Sequence, residues 1–174
     1  AYTGPAIATA FGMSPGDMTY IFISGTLGMA LGAMGLGMIG DRIGRRSAIL
    51  GSIVLFGVFS LAIAFAQSPT QIVALRFLTG LGMGGATPVL LAMAAEYSPS
   101  RLRGAVLTGV LLGLPAGAMV GGVLAAGWMP VIGWQGIYIV GGAIPLAVLL
   151  VCLAFLPESA QFLASRGRPD DVSR

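Results

Sequence analysis

The chain has 174 residues, a mean hydropathy of +0.94, 56% hydrophobic residues and only 9% charged residues. A soluble domain carries about 25% charged residues, so there is too little charge here to solvate an outer shell. The net charge of +3 and a pI near 9.6 do not call for nucleic acid, because the basic residues sit in loops between apolar spans, as membrane topology requires. Histidine is absent and Cys152 lies alone in an apolar run. That leaves no disulfide framework and no thiolate or imidazole metal site, so no metal or cofactor is expected. An enzyme is not expected either, since no nucleophile–base constellation is present.

In chain order, residues 1–11 read as the outer end of a truncated first helix, and Gly12 to Asp17 as a turn-rich loop. Full spans are expected at 20–39, 48–66, 71–95, 104–127 and 135–156. The polar stretch GDRIGRR follows the first of these, the turn Gln67-Ser68-Pro69 the second, and EYSPSRLR the third. A short loop with Trp128, Pro130 and Trp134 separates the last two, and both tryptophans read as interfacial aromatics or as ordinary packing residues. Spans of about 19–25 residues cross a hydrocarbon core of about 30 Å at 1.5 Å per residue. Their backbone groups must be satisfied internally, which selects helices. Residues 1–156 are therefore one helical bundle in the lipid bilayer, and 157–174 begin a polar loop.

Arginine distribution sets the orientation. Arg42, Arg45 and Arg46 form one cluster, Arg101 and Arg103 a second, and Arg166, Arg168 and Arg174 a third. Two spans separate consecutive clusters, so all three return to one face, and the positive-inside rule makes that face cytoplasmic. Loops 40–47, 96–103 and 157–174 are thus expected in the cytoplasm of a cell with this protein in its inner membrane.

Small residues report on packing. Gly109, Gly113, Gly117 and Gly121 recur every four residues along one span, and Gly25, Gly28, Gly32 and Gly35 make a similar stripe on another. Such stripes let helix backbones approach closely in lipid, so tight crossings are expected at both. Pro88, Pro115 and Pro145 lie inside spans and supply bends.

The charged groups are few. Asp41, Glu96 and Glu158 each end a span, and each is followed within eight residues by an arginine. An acid at a helix C-terminus is unfavourable by up to about 1 kcal/mol, so ion pairs bridging different helices are the expected solution. Arg76 is the one charged residue well inside a span. A central arginine costs about 2.5–3.5 kcal/mol on insertion scales, and it either snorkels to the surface or faces a cavity and pairs with a carboxylate.

These residues carry a resemblance. GMIGDRIGRR (Gly37 to Arg46) resembles the loop signature between the second and third helices of the major facilitator superfamily, and RFLTGLGMGG (Arg76 to Gly85) resembles its fourth-helix signature. EYSPSRLRG (Glu96 to Gly104) and PESAQFL (Pro157 to Leu163) look like its loop after helix four and the end of helix six. The finer pattern, including LLGLPAGAMVGG and IVGGAIPL, is similar to the aromatic acid:proton symporter family. The sugar porters share the Glu/Arg loop and the PES ending. Their fifth helix usually carries a glutamine, however, and residues 104–127 contain none.

The resemblance implies an all-α membrane protein, the N-terminal six-helix half of a twelve-helix bundle, completed by a C-terminal half of the same transporter. It implies uptake of an aromatic carboxylate, such as a hydroxybenzoate, together with protons. Arg76 would serve substrate and proton coupling. Asp41, Arg42, Gly44, Arg45, Arg46, Glu96, Arg103 and Glu158 would form the cytoplasmic gate. A sugar or other organic-anion porter is the alternative within the superfamily, and a non-transporting membrane scaffold fragment the alternative outside it.

Overall fold

The computed structural model describes residues 3–155, apart from the side chains of Pro15, Asp41 and Phe155. Its elements are all helical: α1 (Gly4–Phe11), α2 (Pro15–Ile43), α3 (Arg45–Ala64), α4 (Pro69–Tyr97) and α5 (Arg103–Phe155). Local chemistry explains the boundaries. Gly12, at φ 60°, closes α1 in the left-handed region that glycine adopts without strain. Ser14 then caps α2, its hydroxyl accepting from the Asp17 N–H at 3.3 Å while the Asp17 carboxylate accepts from the Ser14 N–H at 3.0 Å. With Pro15 at the first helical position, this capping box starts the helix inside the stretch expected as a loop. Ser68 caps α4 in the same way, accepting from the Gln71 N–H, with Pro69 next.

α2 to α5 are each long and apolar enough to cross a membrane. At 1.5 Å per residue, the 29 residues of α2 extend about 44 Å, beyond the span expected at 20–39. The stretch labelled α5 holds two helices that meet at a kink, Gly133 with φ 67° and ψ 179°, and they correspond to the two spans expected at 104–127 and 135–156. The segment with Trp128 and Pro130 is helical, and a single glycine turns the chain where a loop was expected. We refer to residues 103–132 and 134–155 as the first and second arms of α5.

The described bundle has apolar cores near its two ends and a backbone-to-backbone middle. At one end Ile7, Ile21, Ile63, Ile72, Trp134 and Tyr138 pack together, and at the arginine-rich end Ala48, Ile49, Val89 and Met93 do so. Between them, a Cβ added to Gly80 would lie 2.2 Å from the Gly25 carbonyl oxygen, and one on Gly84 2.0 Å from that of Met29. Gly28 and Gly32 approach the Phe77 and Leu81 carbonyls equally closely. Only glycine fits such a crossing of α2 and α4. Gly57 and Gly142 do the same for α3 and the second arm of α5.

The other expected stripe makes no such crossing. An added Cβ at Gly109, Gly113, Gly117 or Gly121 meets nothing within 4 Å. The first arm of α5 stands largely exposed along this length, so these four glycines make no close backbone crossing with a described helix.

Candidate functional site

Arg76 lies seven residues beyond Pro69, the start of α4, about 10 Å along the axis. It does not snorkel freely. A guanidinium NH2 nitrogen, Nη2, donates to the Tyr138 hydroxyl, and the guanidinium carbon stands 5.2 Å from the centre of the Tyr138 ring. Hydrogen bonds to charged groups contribute about 1.5–3 kcal/mol, which offsets much of the cost of placing the charge there.

Tyr138 is positioned by the break at Gly133, which directs the second arm of α5 back toward α3 and α4. It is 8% exposed and meets Trp134 edge-on, with centroids 6.2 Å apart and planes at 81°. Trp134 in turn tilts against Phe11 at 6.0 Å. Trp134 is therefore a buried packing residue, whereas Trp128 is 44% exposed. The Thr3 hydroxyl donates to the Tyr138 oxygen at 3.2 Å. Three elements thus converge on one phenol: the segment before α1, α4 and α5.

Two cavities meet at Arg76. One of about 240 Å³ is lined by Thr3, Phe56, Ser60, Arg76, Tyr138 and Gly121 among others. The second, about 190 Å³, lies toward α2, with Phe22, Thr26 and Met29 in its wall, and shares Phe56, Arg76 and Thr79 with the first. Gly121, expected in a helix crossing, instead leaves room in the larger of these two. Ligand pockets usually run about 300–1,000 Å³, so a space of this size suits one small ring. A wider hollow of about 450 Å³ opens beside Asp17 and Tyr20, but the Asp17 carboxylate there is already engaged by Ser14. Among the described residues no carboxylate pairs with Arg76, and its Nε, buried from solvent, has no hydrogen-bond partner.

At the opposite end, Arg45 at the start of α3 forms an ion pair with Glu96 at the end of α4, their side chains 19% and 12% exposed. Arg46 donates to the Leu153 carbonyl at 2.8 Å, satisfying an acceptor near the C-terminal end of α5. The neighbouring arginines therefore tie the ends of α4 and α5 to the start of α3. The backbone here turns on Gly44, at φ 104°, which alone separates α2 from α3. Arg42 and Arg103 are exposed and are not drawn into this contact. The Asp41 side chain lies outside the described residues, as does Glu158 with the rest of the third arginine cluster.

Comparison with known proteins accords with this architecture. The Major Facilitator Superfamily model matches residues 1–170. The chain belongs to this superfamily. It is similar to the 4-hydroxybenzoate transporter PcaK of Pseudomonas putida, 37% identical over 173 residues, covering 99% of this chain and 39% of PcaK. It is also similar to a gallate transporter of the same organism, 37% identical over 168 residues, covering 97% of this chain and 37% of that protein. The chain therefore spans well under half the length of these relatives. The inward-open xylose transporter XylE from E. coli shares the fold, with a TM-score of 0.82 at 20% identity over 98% of this chain and 46% of XylE.

Tyr138 was not singled out in the sequence. The available signal was its place four residues after Trp134, which puts both aromatics on one helix face, and its hydroxyl, which needs a partner when buried in a span.

Proposed function

We propose that this chain is the N-terminal half of a secondary active transporter that takes an aromatic carboxylate of the hydroxybenzoate type into the cell with protons. The observation that carries the reading is Arg76, a half-buried guanidinium whose buried Nε–H has no partner among the described residues, on a small cavity that Phe56 and Tyr138 also line. A carboxylate supplies the missing acceptor and counter-charge, and an aromatic ring suits the apolar wall. The relatives named for 4-hydroxybenzoate and gallate support the same substrate class. A C-terminal half would supply the remaining walls of the site, and an acid before Ala1 would be an alternative partner for Arg76 in the unloaded state.

The arginine-rich end serves as the cytoplasmic gate of an inner-membrane carrier. We assign to this gate the Arg45–Glu96 pair together with Asp41, Arg42, Gly44, Arg46, Arg103 and Glu158, and the pair holds one of two alternating states. The strength of these pairs biases the equilibrium between outward- and inward-facing forms.

The reading is tested with the full-length carrier in proteoliposomes. An imposed inward proton gradient drives accumulation of labelled 4-hydroxybenzoate above the outside concentration, and a protonophore abolishes it. Accumulation of xylose with none of 4-hydroxybenzoate would favour the sugar-porter reading instead, and transport of neither would leave the scaffold reading.

A further inference from the structure

The valences of the Tyr138 hydroxyl lead further. Its oxygen accepts from Arg76 Nη2 and shares a hydrogen bond with the Thr3 hydroxyl, in which either oxygen can donate. When Thr3 donates, both phenol lone pairs are filled and the phenolic proton is free to turn toward a ligand. Arg76 Nε–H is buried and has no partner among the described residues. An unpartnered donor and one that Thr3 can release therefore belong to two residues in direct contact, and both residues line the 240 Å³ cavity.

We propose that Tyr138 is a second carboxylate-binding group, its phenolic proton and the Arg76 Nε–H forming a two-donor clamp on the carboxylate of the substrate. This rests on the aromatic-carboxylate reading above and extends it to a residue that the reading does not require. A carboxylate is the ligand chemistry that fits, because it offers two acceptor oxygens and no donor, and carries the charge that matches the guanidinium. A sugar hydroxyl could accept from both donors but supplies no charge to match the guanidinium. The hydroxyl oxygen has a separate task, holding the guanidinium through Arg76 Nη2.

Tyr138→Phe removes the phenolic proton and the Arg76 acceptor together, so 3-fluorotyrosine at position 138, a stronger donor and weaker acceptor, separates the two tasks. It should lower the KM for 4-hydroxybenzoate, and a raised KM would overturn the clamp by leaving Tyr138 only a holder of Arg76. In the full-length carrier in proteoliposomes, Tyr138→Phe should raise the KM for 4-hydroxybenzoate about tenfold with kcat within about twofold, the size expected for one hydrogen bond to a charged group. Competition gives a second readout that does not depend on how much protein folds. The preference for benzoate over methyl benzoate as inhibitor should fall about tenfold in Tyr138→Phe relative to the parent. An unchanged KM and an unchanged preference in Tyr138→Phe, in a carrier that still takes up 4-hydroxybenzoate, would overturn the clamp and leave the substrate class standing. A parent carrier that takes up no aromatic carboxylate would overturn both.

Discussion

An arginine about two turns inside a membrane-length helix has few ways to be tolerated, and here the means are visible atom by atom. Arg76 rests against the Tyr138 ring, uses one nitrogen on its hydroxyl, and keeps Nε for a partner that the described residues do not supply. The Arg45–Glu96 pair presents the contrasting case of two charges already matched. Both side chains are mostly buried, and removing one partner strands the other, which for buried pairs costs about 3–5 kcal/mol and less where water reaches. Glu96→Gln should therefore cut uptake about tenfold or more while the amount of carrier in the membrane, read by immunoblot, stays near the parent level. Parental uptake per molecule in Glu96→Gln would remove this pair from the gate.

At the level of helices, what matters is where backbones touch. α2 and α4 cross on Gly25, Gly28, Gly32, Gly80 and Gly84, and the α2 half of that crossing was legible as a glycine rhythm of three- and four-residue steps, although Gly35 at its end meets nothing within 4 Å. The rhythm at Gly109 to Gly121 is just as regular and meets nothing, because spacing records which face of a helix is smooth and not which helix lies opposite. Helix existence was readable from hydropathy, since apolar runs of this length have one stable backbone state in lipid. The place of the turn within α5 was not, since Trp128 and Pro130 have the composition of a turn while the break falls on Gly133. The Arg76–Tyr138 contact spans 62 positions in sequence and depends on that break, so only one of its partners stood out. Packing at the crossing predicts a stability difference. Gly84→Val places atoms onto the Met29 carbonyl and should cost about 1–3 kcal/mol or more, lowering the melting temperature of the purified carrier. Gly51→Ala, on an exposed face with nothing within 4 Å, should be neutral or slightly stabilising through helix propensity. Equal melting temperatures for the two variants would contradict the crossing.

For the molecule as a whole, the two ends of the bundle are chemically distinct. Arg45, Arg46, Glu96 and the Leu153 carbonyl gather at one end. The start of α2, the turn before α4 and the Gly133 break gather with the aromatic cluster toward the other, where Arg76 borders its cavities. The paired spans between arginine clusters anticipated the first of these groupings, since two crossings return a chain to its starting side. The bundle thus carries a matched ion pair at one end and, among the described residues, a cation without a carboxylate partner toward the other. The most direct measurement of this account is accumulation of 4-hydroxybenzoate by proteoliposomes bearing the full-length carrier or its Arg76→Ala variant, under an imposed inward proton gradient. The account predicts that the parent concentrates the acid several-fold and that Arg76→Ala, present in equal amount, does not raise it above the outside level. Accumulation by Arg76→Ala equal to that of the parent would contradict it.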